Sequence, residues 1–213
     1  MYRLYSFAQS GNSFKVAFLL NQLGQPWQAE FVDFFSGLSR DKDWRAEHNE
    51  MGKIPILIDG DLQLTQSGVI LDYLAHKHQQ YGGRDEAERR EILRWILFDN
   101  HKFTSYFASY RFMKSFGPSA PDPAVMAWLK SRAYSAFGIV NQHLAERQFM
   151  LGDYLSIADF SLSAYLFYPA DESGLPVSED FPHIAAWIAR LKQLPGWRDP
   201  YEMMPGQRLP VRW

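Results

Sequence analysis

Apolar and polar positions alternate from Tyr2 to Phe7, which predicts a strand. Ser10-Gly11-Asn12-Ser13 follows with turn and cap chemistry, and Val16, Leu19, Leu20 and Leu23 then recur at helical spacing. Gly24 and Pro26 end that helix, because glycine accepts the left-handed cap and proline cannot continue the hydrogen bonding. Trp27 to Val32 reads as a second strand, and residues 34–49 are polar and irregular, with room for a short helix. Ile56 to Ile58 and Leu62 to Leu64 flank Asp59-Gly60, a hairpin signal. Ser67 to His78 is predicted helical, with Ile70, Tyr73 and Leu74 inward. The order β-α-β, then β-β-α, predicts a small sheet with helices packed on it.

After that the pattern changes. Residues 79–86, QQYGGRDE, are polar and contain two glycines, which marks a linker between a domain at 1–78 and another at 87–213. Beyond the linker only helical periodicity appears: one long helix from Ala87 to about Lys114, and another from Pro123 to about Ala145. Ser156-Ile157-Ala158-Asp159 has the spacing of a capping box, with Asp in the place of the usual Glu, and this pair is assigned a structural role only. Phe181-Pro182 opens a further helix that ends near Leu194-Pro195-Gly196, and the tail to Trp213 is expected to run extended. Within the long helix the run Asp99-Asn100-His101-Lys102 is unusually polar.

Composition removes several function classes. With 22 basic against 24 acidic residues the net charge is −2, so there is no electrostatic footprint for nucleic acid or anionic lipid. No signal-peptide pattern and no membrane-length apolar run appear, and a cytoplasmic location is expected. The chain contains no cysteine. It can form no disulfide and offers no thiolate of its own, so any sulfur chemistry must use a thiol carried by a ligand. No metal site is expected.

The segment 52–74, GKIPILIDGDLQLTQSGVILDYL, carries the most chemistry. Proline lacks an N–H and is confined in sheets to edges, bulges or strand starts, and Pro55 fits a strand start. If the Ile54–Pro55 bond is cis, the N–H and C=O of Ile54 face outward, free to pair with an extended peptide. A few residues on, the Ser67 hydroxyl and the N–H groups opening a helix form an anion site. A backbone-pairing edge beside a carboxylate pocket describes a site for a small acidic peptide.

Taken together, LYSFAQSGNSFKV, GKIPIL with LTQSGVILDYL, and LGDYLSIADFSL resemble the cytosolic glutathione transferases in order and spacing across essentially the whole chain. Serine, rather than tyrosine or cysteine, after the first strand resembles the theta-like and bacterial branches. The resemblance implies an α/β thioredoxin-like N-terminal domain followed by an all-α C-terminal domain. It also implies a homodimer using glutathione as cosubstrate, with no other cofactor. By position it implies that Ser10 holds the glutathione sulfur and that the Ile54 backbone pairs with the cysteinyl part. Gln66 and Ser67 would bind the γ-glutamyl end, and Lys53, assisted by His48, the glycyl carboxylate. Many members have Glu where this chain has Gln66, and the usual Asn-Pro before the glycine is here Asn49-Glu50. In related dimers an acidic or amide side chain at the position of Asp99 reaches glutathione across the interface.

A free thiol has a pKa near 8.5, so only about 3% is ionised at pH 7. Lowering it by roughly two units takes about 2.7 kcal/mol. A charge-assisted hydrogen bond contributes about 1.5–3 kcal/mol and a helix N-terminus about 0.3–1, so a hydroxyl at Ser10 suffices without a general base. Asn12 and Ser13 could present a donor at the same helix start, and Ser10 alone also reads as a cap. Phe103, Phe107, Tyr110 and Arg111, spaced by three and four, with Tyr5 and Phe7, are expected to line an apolar pocket for a small hydrophobic electrophile; plain core is the competing reading of that stripe. The expected activity is conjugation of glutathione to that electrophile. The alternatives are a non-catalytic glutathione-binding or interaction protein of the same fold, or a glutathione-dependent dehalogenase, isomerase or peroxidase.

Overall fold

The computed structural model describes residues 1–213, which divide into two compact units. The first comprises Met1–Gly82 together with Leu194–Arg208, the second Gly83–Gln193 together with Leu209–Trp213.

In the first unit β1 (Tyr2–Ser6), α1 (Gly11–Gln22) and β2 (Trp27–Phe31) form a parallel β-α-β element. After a helical turn at Leu38–Arg40 and α2 (Lys42–His48), the hairpin β3 (Ile56–Asp59) and β4 (Leu62–Thr65) pairs antiparallel with β1. The strand order is β2-β1-β3-β4, a mixed four-stranded sheet of thioredoxin-like type. The hairpin loop is Gly60–Asp61, one residue later than the Asp59-Gly60 signal, because Asp59 still pairs with Leu62. Tyr5 and Ile58 pack on the cluster of Val32, Trp44 and Ile56, so α2 covers one face. Leu4 and Leu57 alternate with these positions and are fully buried towards the other face, where α1 and α3 (Ser67–His78) pack together.

The last part of this unit comes from the far end of the chain. The segment 194–208, expected in the helical domain and in an extended tail, instead contains a short helix (Pro200–Met203) and belongs with the sheet. The Gly196 N–H donates to Gln22 Oε1 at 3.0 Å, and Gln9 Nε2 donates to the Gln207 carbonyl at 2.6 Å.

The second unit is all-helical. The expected long helix is α4 (Glu86–Phe98) and α5 (Thr104–Ser115), joined by one π-helical turn over Asp99–Phe103, the polar run seen in the sequence. α6 (Pro123–His143), α7 (Ile157–Ser163), α8 (Val177–Asp180) and α9 (Pro182–Leu191) complete it; the short Pro200–Met203 helix is α10. Asp159 accepts the Ser156 N–H at 2.9 Å, the Met150 N–H at 2.8 Å and the Trp187 indole N–H at 2.9 Å, so the capping pair also ties α7 to α9. No helix is long and apolar enough to cross a membrane.

Candidate functional site

The site is built in the first unit, where the turn after β1, the loop before β3 and the start of α3 meet. Ser10 is the N-cap of α1, in extended conformation, and its Oγ accepts the Ser13 N–H at 3.1 Å. The Ser13 hydroxyl also donates to Ser10 Oγ, at 2.9 Å. Both lone-pair directions of Ser10 are therefore used, and its own proton is the one left to give away. Ser10 is 5% exposed and Ser13 not at all, so of these two rivals Ser10 is the one a ligand can reach. Asn12, the third, is half-buried and faces Ser67, whose Oγ lies 3.5 Å from Asn12 Oδ1. That contact brings the start of α1 to the start of α3.

The start of α3 holds unpaired donors. Its N-cap is Gln66, not Ser67, and the Gln66 side chain makes no capping bond. The N–H groups of Ser67, Gly68 and Val69 have no acceptor, while that of Ile70 bonds the Gln66 carbonyl at 3.0 Å. A helix of 12 residues with an uncapped N-terminus presents partial positive charge to whatever lies in front of it. Gln66 has φ +69° and ψ 114°, a backbone conformation that costs a non-glycine residue about 1–3 kcal/mol and persists only where the surroundings enforce it. One such constraint is visible: Gln66 Nε2 lies 2.9 Å from Met51 Sδ.

The loop before β3 supplies the third side. The Ile54–Pro55 bond is cis, which meets the condition under which the Ile54 backbone faces outward. The ladder between β1 and β3 begins at Ile56, and neither the N–H nor the C=O of Ile54 is paired. Asn49 Nδ2 donates to the Lys53 carbonyl at 2.7 Å and Asn49 Oδ1 accepts the Met51 N–H at 3.1 Å, which shapes the loop where Glu50 stands in place of proline. The Lys53 side chain is exposed and makes no ion pair. His48 is less free. Its ring stacks on Trp44 with centroids 5.0 Å apart and meets Tyr5 edge-on at 5.3 Å, so it forms part of the aromatic layer.

Ser10, Ile54, Gln66 and Ser67 thus gather on one unit, with Lys53 on the same loop as Ile54. Asn12 and Met51 complete the arrangement. Asn12 was legible only as a rival donor, and nothing in the sequence marks Met51 as the neighbour of Gln66.

Other expected site residues fall elsewhere. Asp99 has no solvent exposure: its carboxylate accepts the Thr104 hydroxyl and, at 2.6 Å, the Ser161 hydroxyl, so it stabilises the π turn from inside and cannot reach a second subunit. Phe103 and Phe107 are 1% and 4% exposed and meet Phe137 edge-on, which makes them core of the helical unit. Phe107 also borders a cavity of about 130 Å³ with Tyr165, Tyr168 and Leu175. Arg111 is consumed by a buried ion pair with Glu172, Nε to Oε2 2.8 Å, its guanidinium 4.0 Å from the Tyr168 ring centre. Tyr110 is half-buried, and burial raises its phenol pKa. In the first unit, Phe7 stacks on Phe34 at 4.7 Å and is buried.

Comparison with known proteins places this geometry in context. Residues 1–76 match the family model of the glutathione S-transferase N-terminal domain and residues 112–195 that of the C-terminal domain. A glutathione S-transferase structure from Pseudomonas fluorescens Pf-5 is 30% identical, covering 93% of this chain and 98% of that one, with a TM-score of 0.84. A second family member from Pseudomonas fluorescens Pf-5, crystallised with two glutathione bound, is 26% identical over 96% of this chain and 93% of that one, with a TM-score of 0.82. Glutathione S-transferase F14 of Arabidopsis thaliana is 26% identical over 95% of this chain and 86% of its own length.

Proposed function

This chain belongs to the glutathione S-transferase family, and on that premise we propose that it binds glutathione, holds the thiol ionised through the Ser10 hydroxyl and transfers the sulfur to a small hydrophobic electrophile. The observation that carries this reading is the pair of hydrogen bonds from Ser13 into Ser10 Oγ. They orient the oxygen and leave its proton as the donor to an anion at the start of α1.

In this reading the thiol proton of glutathione leaves to solvent, and the thiolate accepts the Ser10 O–H. The charge-assisted bond and the α1 dipole together cover the roughly 2.7 kcal/mol that a two-unit fall in thiol pKa requires. The thiolate then attacks the electrophilic carbon, forming a C–S bond as a leaving group departs or a double bond takes up the electron pair. Ser10 stabilises the nucleophile and is never the nucleophile itself.

Three features support the placement of the tripeptide. The unpaired N–H and C=O of Ile54 suit the cysteinyl backbone. The free donors of Ser67, Gly68 and Val69, with the Ser67 hydroxyl, suit the γ-glutamyl carboxylate. The Lys53 ammonium suits the glycyl carboxylate. Gln66, being uncharged, offers the γ-glutamyl amine a carbonyl oxygen in place of a carboxylate. Leu93 and Leu97, 55% and 59% exposed on one face of α4, support a homodimer.

The test is calorimetric titration with glutathione, followed by turnover of a chromogenic aryl halide. The parent should bind and turn over. Ser10→Ala should keep its affinity within a few-fold but lose about 10- to 150-fold in kcat/KM, the equivalent of one charge-assisted bond. Absence of glutathione binding would refute the reading, and binding without turnover in the parent would leave a binding protein of the same fold.

A further inference from the structure

We infer that Gln9 is a positioning residue for Ser10, held in place by the backbone of the returning C-terminal segment at Gln207. The inference rests on the role of Ser10 proposed above and goes beyond it.

Ser10 sits at the end of a tight turn, closed by its own N–H on the Phe7 carbonyl at 3.0 Å. The turn is irregular yet buried: Ala8 has no exposure and Gln9 6%. An irregular buried turn must find partners for its polar groups or pay their desolvation, and those partners decide where it stands. Gln9 finds one 198 positions away, donating Nε2 to the Gln207 carbonyl at 2.6 Å.

The chain reaches that carbonyl because residue 206 is glycine. Gly206 has φ +104°, and a Cβ there would lie 3.1 Å from Phe31 Cε2 and 3.7 Å from the Ala8 Cβ. The segment therefore lies directly against the turn and against β2. Its other end is fixed as closely. Gly196 donates to the Gln22 side chain at 3.0 Å, and a Cβ on Gly196 would sit 2.4 Å from the Gln22 backbone nitrogen. Between them α10 packs on α1, and Met204 is 4% exposed.

Residues 196–207 thus splint α1 along its length, from Gln22 at its last turn to the turn preceding its cap. Ser10 is that cap. Gln9 does not need to touch glutathione to matter: losing its bond to Gln207 frees the Phe7–Ser10 turn to shift the hydroxyl relative to the sulfur. A donor displaced by a few tenths of an ångström binds an anion less well, while groups on the β3 loop and α3 keep holding the tripeptide.

The experiment measures the pKa of the bound glutathione thiol by its ultraviolet thiolate absorbance in the parent, Ser10→Ala, Gln9→Met, Gly206→Ala and the Gln9→Met/Gly206→Ala pair. Gln9→Met and Gly206→Ala should each raise the bound thiol pKa by about half to one unit, roughly three- to tenfold in the thiol's ionisation constant. They should lower kcat similarly with less than about a twofold change in KM for glutathione, and the pair should equal either single variant, because both break one contact. Gly206→Ala keeps the test alive if Gln9→Met folds poorly. Parent-like thiol pKa values in both singles, or a pair whose effect is the sum of the two, overturn the inference. If the parent does not lower the thiol pKa, or Ser10→Ala does not restore it, the Ser10 reading has failed; if both hold and both singles stay parent-like, only the Gln9 inference has.

Discussion

Ser13 donates twice to one atom, giving both its N–H and its hydroxyl to Ser10 Oγ at 3.1 and 2.9 Å. A residue without exposure thereby sets the direction of the one hydroxyl at this helix start that a ligand can approach. The expected consequence is graded. Ser13→Ala removes one of the two donors and lets the Ser10 hydroxyl rotate, so its kcat/KM for a standard electrophile should fall between the parent and Ser10→Ala, about three- to tenfold below the parent, the worth of one neutral hydrogen bond. A Ser13→Ala rate equal to the parent's would show that the Ser10 proton needs no such orientation.

Ser67→Ala separates affinity from stability. Gln66 is the cap and the Ser67 hydroxyl has only a 3.5 Å contact with Asn12, so the thermal midpoint should barely move. Glutathione affinity by calorimetry should weaken about 2- to 12-fold, corresponding to about 0.5–1.5 kcal/mol. Unchanged affinity would argue against the γ-glutamyl end lying at α3.

The Arg111–Glu172 pair is a stability element of the helical unit. Both side chains are buried, and the Ser115 hydroxyl donates to the Glu172 carbonyl beside them. Arg111→Met strands a buried carboxylate and should cost about 3–5 kcal/mol in urea unfolding, whereas Arg111→Met/Glu172→Leu should recover most of that loss. A double variant no more stable than the single would contradict the pairing argument.

Asp159 makes stability pH-dependent. Burial, opposed by the N–H and O–H donors around it, pushes its pKa up to about 6 from an ordinary value of 3.8. Between those values the folded state holds a proton that the unfolded state has released. Stability from this group is therefore full below about pH 4 and declines as pH rises through about 6. Asp159→Asn should remove that decline and lower stability overall by about 1–3 kcal/mol, since a carboxamide N–H2 would face the Ser156 N–H. Urea midpoints from pH 4 to 7 decide it: equal slopes in parent and variant would exclude Asp159 as the source.

Much of the first unit was legible because local chemistry and burial agree there. Pro55 at a strand start and the period-two alternation of Tyr2–Phe7 each have one good solution, and the Asp59-Gly60 signal marks the hairpin although its loop falls one residue later, at Gly60–Asp61. The unusually polar run at Asp99–Lys102 coincides with the π turn that divides the expected long helix. Its role did not follow, since a carboxylate's use depends on what packs against it, and Ser161 lies 62 positions away. Arg111 failed for the same reason: Glu172 is remote in sequence. Helical spacing put Phe103 and Phe107 on one face but could not say whether that face met solvent or Phe137. The fate of residues 194–208 was hidden because short proline- and glycine-rich segments carry no periodicity, and the contacts of Gly196 and Gly206 are made to α1, β2 and the first turn, which are distant in the chain.

The most direct measurement of the central claim is the ionisation of glutathione on the protein, followed by thiolate absorbance in the parent and in Ser10→Ala. The account requires a thiol pKa about two units below its free value in the parent and a return most of the way to that value in the variant. Glutathione that binds both proteins with the same thiol pKa would contradict it.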